Sequence, residues 1–213
     1  MKRWMLLAAL LFAAAACSHV KKPGAAIEPA PSAAPVGPSI YSLAALLHDQ
    51  RGEAIGLDVF RGHPVVVSMF YGSCPVACPL IVSHVKETLA RLPEGARDDV
   101  RVLLVSFDPA HDTRAVLAGI VAARGLDSTR WTLATGSDDD VRQIAAVLGV
   151  SYRPLPEGGF AHDAVLTTLD RDGRVTARTD DPSADLAPLV NALAHVPPST
   201  VSLRAAAPAQ PPQ

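Results

Sequence analysis

The sequence predicts an α/β fold in which helices cover both faces of a central mixed, mostly parallel sheet. Two strongly apolar runs, 65–70 and 102–107, are each followed by a segment with helical apolar spacing. A third strand and helix come next, and a strand pair and a last helix close the chain. Alternating strands and helices are typical of parallel sheets, and the closing strand pair narrows the prediction to a thioredoxin-like arrangement.

The first two strand–helix units are predicted from composition and spacing. The first strand follows the turn residues Gly62, His63 and Pro64, and its β-branched run is typical of a strand buried on both faces. The apolar residues of the next helix are Ile81, Val85, Leu89 and Leu92. Asp112 or Thr113 is predicted to cap the helix after the second strand.

The third unit is predicted mainly from its capping residues. A short strand is expected at 131–134. Asp138 is predicted to be the N-cap of the following helix, and Gly149 to end it.

A hairpin and a helix complete the fold. The strands 164–169 and 174–177 flank a turn rich in Asp and Gly, which is typical of an antiparallel pair. Pro188 is compatible only with a first helical turn, so the last helix should begin near Asp185.

The composition excludes several classes of protein. The chain has 213 residues, of which 49% are hydrophobic, and 19 Lys and Arg face 21 Asp and Glu. The balanced charge excludes nucleic-acid binding driven by overall positive potential, and the apolar fraction excludes a wholly disordered chain. The longest apolar run, 13 residues at 4–16, is shorter than the ~20 residues that span a bilayer.

The N-terminus is predicted to be an export signal. Basic residues precede the apolar run 4–16, and Cys17 directly follows a series of alanines. This pattern resembles the lipobox of bacterial lipoproteins, which implies cleavage before Cys17, lipidation of its sulfur and attachment to a membrane on the extracytoplasmic or periplasmic side. A plain secretory signal, with Cys17 left as a thiol, is the alternative.

Four segments follow from these patterns. Residues 1–16 are the signal peptide, 17–39 an Ala- and Pro-rich tether, 40–196 the folded domain and 197–213 a disordered tail.

Two cysteines lie where the first strand ends and the first helix is predicted to open. In a regular helix the Cβ atoms of Cys74 and Cys78 would be ~5–6 Å apart, whereas a relaxed disulfide requires ~3.8 Å. The spacing suits two thiolates that share a metal, but an irregular turn caused by Pro75 and Pro79 would also allow a bridge. A helix N-terminus favours thiolates, and paired sulfurs select Cu(I) or Zn.

One distant histidine is a candidate third ligand. His162 precedes a strand, and a loop at that point can lie against the cysteine loop in this fold, where imidazole would add a borderline donor. His111, which follows the second strand, competes for the role. Asp108 ends that strand at the same edge, where it could orient His162 or a docking partner, or serve only in the turn before Pro109.

Three segments together resemble the Sco/SenC family. Residues 70–79, FYGSCPVACP, resemble its Cys-Pro-x-x-Cys-Pro segment, and residues 106–113 resemble its Ser-x-Asp-Pro-x-x-Asp-Thr segment. The histidine at 162, the strand after it and the turn 170–173 resemble the late histidine, strand and Asp-x-x-Gly turn. The resemblance extends in order over residues 40–195.

The resemblance implies a thioredoxin-like fold and a copper site formed by Cys74, Cys78 and His162, with a Cys74–Cys78 disulfide when oxidised. It implies delivery of copper to the dinuclear copper site of cytochrome c oxidase, or maintenance of its thiols. The partner would be the copper-bearing oxidase subunit or another copper or thiol protein. Val76 replaces a common acidic residue, and Arg114 stands where proline is frequent.

Other functions remain open at this level. A thiol–disulfide oxidoreductase would use Cys74 as the attacking thiol and Cys78 as the resolving one, without copper. A peroxidase of the same fold lacks the expected Thr-x-x-Cys pattern at Cys74. A binding module would need the two cysteines only as a structural bridge.

Overall fold

The structure is a computed structural model, and it describes residues 37–74, 77–180 and 185–196, without the side chains of residues 77 and 78. The predicted signal peptide, the lipidation site at Cys17, nearly all of the tether and the tail from residue 197 lie outside the described residues. Within the described ranges, every helix is too short or too polar to cross a membrane.

Nine strands and five helices make up the described part of the chain. The strands are β1 (Leu46–Asp49), β2 (Ala54–Gly56), β3 (Val65–Phe70), β4 (Arg101–Ser106), β5 (Trp131–Gly136), β6 (Tyr152–Pro154), β7 (Phe160–His162), β8 (Leu166–Leu169) and β9 (Val175–Thr179). The helices are α1 (Ala77–Ala90), α2 (Glu94–Asp99), α3 (Arg114–Ala123), α4 (Asp138–Leu148) and α5 (Ala187–Ala194). Short 3-10 helices cover Ile40–Ser42 and Leu57–Phe60.

Seven strands form one mixed sheet in the order β2-β1-β5-β4-β3-β8-β9, and β6 and β7 form a separate hairpin. The three central strands β5, β4 and β3 are parallel, while the outer strands pair antiparallel. The predicted thioredoxin-like α/β class is therefore confirmed. The hairpin β1–β2, the short helix α2 and the hairpin β6–β7 were not predicted.

The sheet is buried on both faces, which explains the apolar runs. Alternate residues of β3 enter different cores: Val67 packs with α4 on one face, and Val66 packs with α1, α3 and α5 on the other. All six residues of β3 are buried. Strand and helix packing of this kind leaves the loops at the strand ends as the accessible part of the fold.

The start of α1 differs from the prediction. The helix begins at Ala77, so Cys74 precedes it and only Cys78 lies within it. The separation expected for two cysteines on one regular turn therefore does not apply. Proline restricts the residue before it to extended conformations, so Pro75 disfavours a helical Cys74, whose N–H instead donates to the Tyr71 carbonyl at 3.2 Å.

The helix caps were predicted in part. Ser137, not Asp138, is the N-cap of α4, and its hydroxyl accepts a hydrogen bond from the Asp140 N–H. Thr113 occupies the N-cap position of α3 without a side-chain cap bond, and Asp112 turns inward. Gly149 ends α4 as predicted, with a left-handed φ of 64°.

The predicted β8–β9 hairpin is confirmed, and the chain enters the domain against its turn. The Asp170 carboxylate accepts hydrogen bonds from the N–H groups of Asp172 and Arg174. The Ile40 N–H donates to the Gly173 carbonyl at 2.9 Å. Because the first residue of β3 pairs with the last residue of β8, this entry point lies at the sheet edge opposite the cysteine loop. α5 begins at Ala187, two residues after the start predicted near Asp185.

Candidate metal centre

The parallel strands β3 and β4 place two aromatic residues side by side. Phe70 pairs with Ser106 at the strand ends, and the Phe107 N–H donates to the Phe70 carbonyl at 3.0 Å. Tyr71 and Phe107 therefore leave the sheet together, and their ring centroids are 5.5 Å apart. Cys74 lies three residues beyond Tyr71, half-buried and packed against both cores.

A buried carboxylate fixes the first turn of the cysteine loop. Asp112 is 1% exposed, and its Oδ2 accepts hydrogen bonds from the Gly72 N–H, at 2.7 Å, and from the Ser106 hydroxyl. A Cβ on Gly72 would collide with the Asp112 carboxyl group, so the loop needs glycine there. Burial raises the pKa of Asp112, and Asp108 contributes in the same direction.

The sequence prediction missed this role of Asp112. It placed the residue among the candidate caps of α3, because aspartate before a helix most often caps it. The only available signal was the spacing of Ser106 and Asp112 after a buried strand, which does not distinguish a cap from a buried acceptor.

His162 ends β7 and reaches the same edge of the sheet. Its ring centroid lies 5.0 Å from that of Phe107 and 5.6 Å from that of Tyr71. Its Nδ1 is 3.1 Å from the Asp163 carbonyl oxygen. Because a carbonyl can only accept, Nδ1 carries the proton and Nε2 keeps its lone pair for another partner.

Tyr71 connects the histidine to the cysteine loop. Its hydroxyl neighbours the Cys74 side chain and the Phe160 backbone. Burial raises the pKa of Tyr71, and the neighbouring Cys74 adds to the effect. Cys74 and His162 thus contact the same aromatic side chain from two different segments of the chain.

Asp108 pairs with the competing histidine. The Asp108 carboxylate is buried, and its Oδ1 lies 2.8 Å from His111 Nδ1. The His111 side chain is 78% exposed, and the hydrogen bond from Asp108 raises the pKa of His111. In the structure the Asp108 carboxylate is hydrogen-bonded to His111. The predicted role of Asp108 in orienting His162 remains a prediction.

Cys78 is the second residue of α1, and its side chain lies outside the described part of the structure. Among the side chains that are described, no three His, Cys, Asp or Glu residues converge on a common point. The structure thus brings Cys74 and His162 to the same aromatic cluster, and the ligand set that includes Cys78 remains a prediction.

Solvent reaches His162 through an open cavity. The cavity has a volume of about 310 Å³ and is lined by β6 and β7, including Tyr152, Arg153 and Asp163. The imidazole is therefore partly accessible from the outside, as a ligand-exchange site requires.

Comparison with known proteins gives one family. The SCO1/SenC family profile matches residues 43–196. The chain is 23% identical over 131 residues to a protein of Stutzerimonas stutzeri that is provisionally named copper-binding, over 60% of this chain and 63% of that protein. It is 23% identical over 130 residues to the SCO1 protein homolog of Bacillus subtilis, over 60% and 67% of the two chains. The chain thus spans about 63% of the length of the first relative.

Solved structures share the fold. The copper-bound ScoI of Bradyrhizobium japonicum superimposes with a TM-score of 0.58 at 21% identity, covering 71% of this chain and 96% of that one. A SCO1/SenC family lipoprotein of Bacillus anthracis superimposes with a TM-score of 0.64 at 18% identity, covering 74% and 95%. Because the family match extends over residues 43–196, most of the sequence and all of the loops described above, this chain belongs to the SCO1/SenC family.

Proposed function

We propose that this chain is a copper carrier that binds one copper ion through Cys74, Cys78 and His162. It delivers the ion to the dinuclear copper site of cytochrome c oxidase. The observation that carries the proposal is that the His162 ring packs edge-on against Tyr71, whose hydroxyl neighbours the Cys74 side chain.

The donor chemistry fits copper. Thiolates are soft ligands that prefer Cu(I), and imidazole also accommodates Cu(II). Metal-binding histidines usually donate their second ring N–H to a carbonyl or carboxylate. His162 already does so through Nδ1 to Asp163, which leaves Nε2 for the metal.

The relatives support the cargo and its destination. One relative is provisionally named copper-binding, and the structures from Bradyrhizobium japonicum and yeast contain copper. A further structural neighbour is described as a member of the Sco family of cytochrome c oxidase assembly proteins. The same role in this chain would use ligand exchange: an acceptor ligand binds copper as one sulfur leaves it, with no net electron transfer.

The location follows from the N-terminal sequence. We propose that Cys17 is lipidated after cleavage and that residues 17–39 hold the domain away from an extracytoplasmic membrane surface. One structural neighbour is itself described as a lipoprotein.

The test is an anaerobic titration of the reduced, detergent-solubilised full chain with Cu(I) in competition with a chelator. We expect one copper per protein, and weaker binding in His162→Ala and Cys78→Ser. His111→Ala is the matched control, because His111 is exposed and paired with Asp108. Unchanged copper affinity in His162→Ala and Cys78→Ser would refute the site.

Thiol–disulfide exchange is the second candidate, and one contact favours it. The Tyr71 hydroxyl neighbours Cys74, and a hydrogen bond from it would stabilise a thiolate there without any metal. In this reaction the two cysteines would form a disulfide while a partner disulfide is reduced to two thiols. Stoichiometric reduction of a disulfide partner by the reduced, metal-free protein, lost in Cys74→Ser, would favour exchange over copper delivery.

A further inference from the structure

Tyr71 lies where three parts of the fold meet. Its side chain is almost completely buried, and its ring centroid is 5.5 Å from Phe107, 5.2 Å from Phe160 and 5.6 Å from His162. Phe107 belongs to the end of β4, whereas Phe160 and His162 belong to the hairpin β6–β7. Tyr71 itself begins the loop that contains Cys74.

The hydroxyl of Tyr71 lies between the cysteine loop and the hairpin. Its electrostatic neighbours are the Cys74 side chain and the backbone of Phe160. A backbone N–H can only donate and a thiolate can only accept, so a hydroxyl that links the two accepts from the Phe160 N–H and donates to Cys74 Sγ.

The hairpin is built to present that N–H outwards. The Leu155 N–H donates to the Gly159 carbonyl at 3.0 Å, and bonded pairs alternate with non-bonded pairs along an antiparallel ladder. The amide of Phe160 therefore points away from β6. Gly159 permits the approach, because a Cβ at that position would lie 3.1 Å from the Tyr71 hydroxyl oxygen.

We propose that Tyr71 is a positioning residue whose hydroxyl holds the His162 hairpin against Cys74, so that sulfur and imidazole face the same ion. The effect on copper rests on the proposed function, whereas the link between the hairpin and the loop does not. The hydrogen bond to sulfur has an electronic consequence as well, because it lowers the energy of the sulfur lone pairs that bind the metal.

The main variant is Tyr71→Phe in the reduced full chain, which removes one oxygen and keeps the ring packing. Tyr152→Phe is the matched control, since it removes a hydroxyl from the same aromatic cluster, where the Tyr152 ring stacks on Phe107 at 4.8 Å. Near-ultraviolet circular dichroism of both variants checks that the cluster remains packed.

Three measurements should separate the two variants. In metal-free Tyr71→Phe, hydrogen exchange at the Phe160 amide should become at least about tenfold faster, because the amide loses its acceptor. Cu(I) affinity should fall about tenfold, as is typical when a group bonded to a metal ligand is removed. The sulfur-to-Cu(II) charge-transfer band should move to longer wavelength. Tyr152→Phe should change none of these values.

A second variant tests the same contact from the hairpin side. Gly159→Ala pushes a methyl group towards the Tyr71 hydroxyl and also strains a residue with φ of +75°. The strain is the same with or without the hydroxyl, so Gly159→Ala should reduce copper affinity less in the Tyr71→Phe background than in the wild type.

The proposal is overturned if exchange at the Phe160 amide is the same in Tyr71→Phe and the wild type. It is also overturned if the wild type binds copper and Tyr71→Phe binds it with equal affinity and an unshifted band. Absence of copper binding by the wild type would refute the proposed function instead, and the amide exchange would then decide the structural link alone.

Discussion

The buried carboxylate of Asp112 accepts a hydrogen bond from the backbone N–H of Gly72, with 2.7 Å between nitrogen and oxygen. The same carboxylate accepts from the Ser106 hydroxyl. One side chain from the segment before α3 thus joins the end of β4 to the first turn of the cysteine loop. The loop that contains the candidate ligand Cys74 is therefore connected to the end of β4 through Asp112, in addition to its connection to α1.

Replacement of Asp112 should destabilise the whole domain. Asp112→Ala leaves the buried Ser106 hydroxyl and the partly buried Gly72 N–H without this acceptor, and a buried donor without a partner costs about 1–3 kcal/mol. We expect a loss of about 2–4 kcal/mol in the free energy of unfolding, measured by urea denaturation. Asp112→Asn keeps an acceptor oxygen and should lose less. A change in Asp112→Ala within about 0.5 kcal/mol, as for ordinary surface substitutions, would contradict the assigned role.

The stability contributed by Asp112 should fall as the pH rises. Burial raises the pKa of this carboxyl group above its ordinary value of 3.8, so the folded state holds the proton at pH values where the unfolded state has released it. The contribution is complete below the ordinary value and declines as the pH rises through the raised value. The stability advantage of the wild type over Asp112→Asn should shrink as the pH rises from the ordinary value of 3.8 through the raised one. An advantage that grows with pH would have the wrong sign.

His111 should titrate above its ordinary pKa of 6.5, because its ring is hydrogen-bonded to Asp108. The stabilisation from this pair is present below the ordinary value and is lost as the pH rises through the raised one. An NMR titration of the His111 ring should show a lower pKa in Asp108→Asn than in the wild type. Asp98→Asn is the control, since Asp98 pairs with Arg130. An unchanged His111 pKa in Asp108→Asn would show that the contact does not form in solution.

The two copper oxidation states should respond differently to loss of the imidazole. If Cys74, Cys78 and His162 are the ligands, His162→Ala leaves two thiolates, which still suit Cu(I) but are a poor set for Cu(II). We expect the Cu(II) affinity to fall more than the Cu(I) affinity, as measured by competition with chelators for each ion. Equal losses for both ions would argue that His162 acts only through packing.

Gly149 should be intolerant of a side chain. It ends α4 in the left-handed region, and a Cβ there would collide with the Arg178 guanidinium, which donates to the Leu148 and Gly149 carbonyls. Gly149→Ala should cost about 1–3 kcal/mol. Gly95→Ala is the matched control: Gly95 lies within α2 with open space around it, and alanine should stabilise it by about 0.4–1 kcal/mol. Similar thermal stability in the two variants would contradict this account.

The central strands could be predicted because burial on both faces leaves a direct trace in the sequence. Every residue of Val65–Phe70, and every residue of Arg101–Ser106 except Arg101, is buried, and most of them are apolar. Strand β1 was missed because it alternates between exposed and buried positions over only four residues. Ser137 and Asp138 are both good capping residues, so the sequence could not decide which of them is the N-cap of α4.

The candidate site was predictable as a set of residues but not as a set of contacts. Cys74 could be named from its position after a strand and His162 from its position before one, and the structure brings both to Tyr71. Tyr71 itself, however, directly follows a buried apolar strand, and in the sequence it looks like one more apolar residue of that strand. Its hydroxyl gains a role only because a hairpin from a distant part of the chain presents an N–H to it.

The place where the chain enters the domain has a consequence for any acceptor. Ile40 is fastened to the Gly173 turn, and β3, which covers roughly 20 Å, separates that turn from Cys74. If residues 17–39 attach the domain to a lipid surface, the end of the sheet at the Gly173 turn would face the lipid. Cys74 would then lie at the end that faces away from it. Since 23 extended residues reach at most about 80 Å and β3 adds roughly 20 Å, a carrier anchored in this way could hand copper only to proteins whose receiving surface stands within about 100 Å of the bilayer.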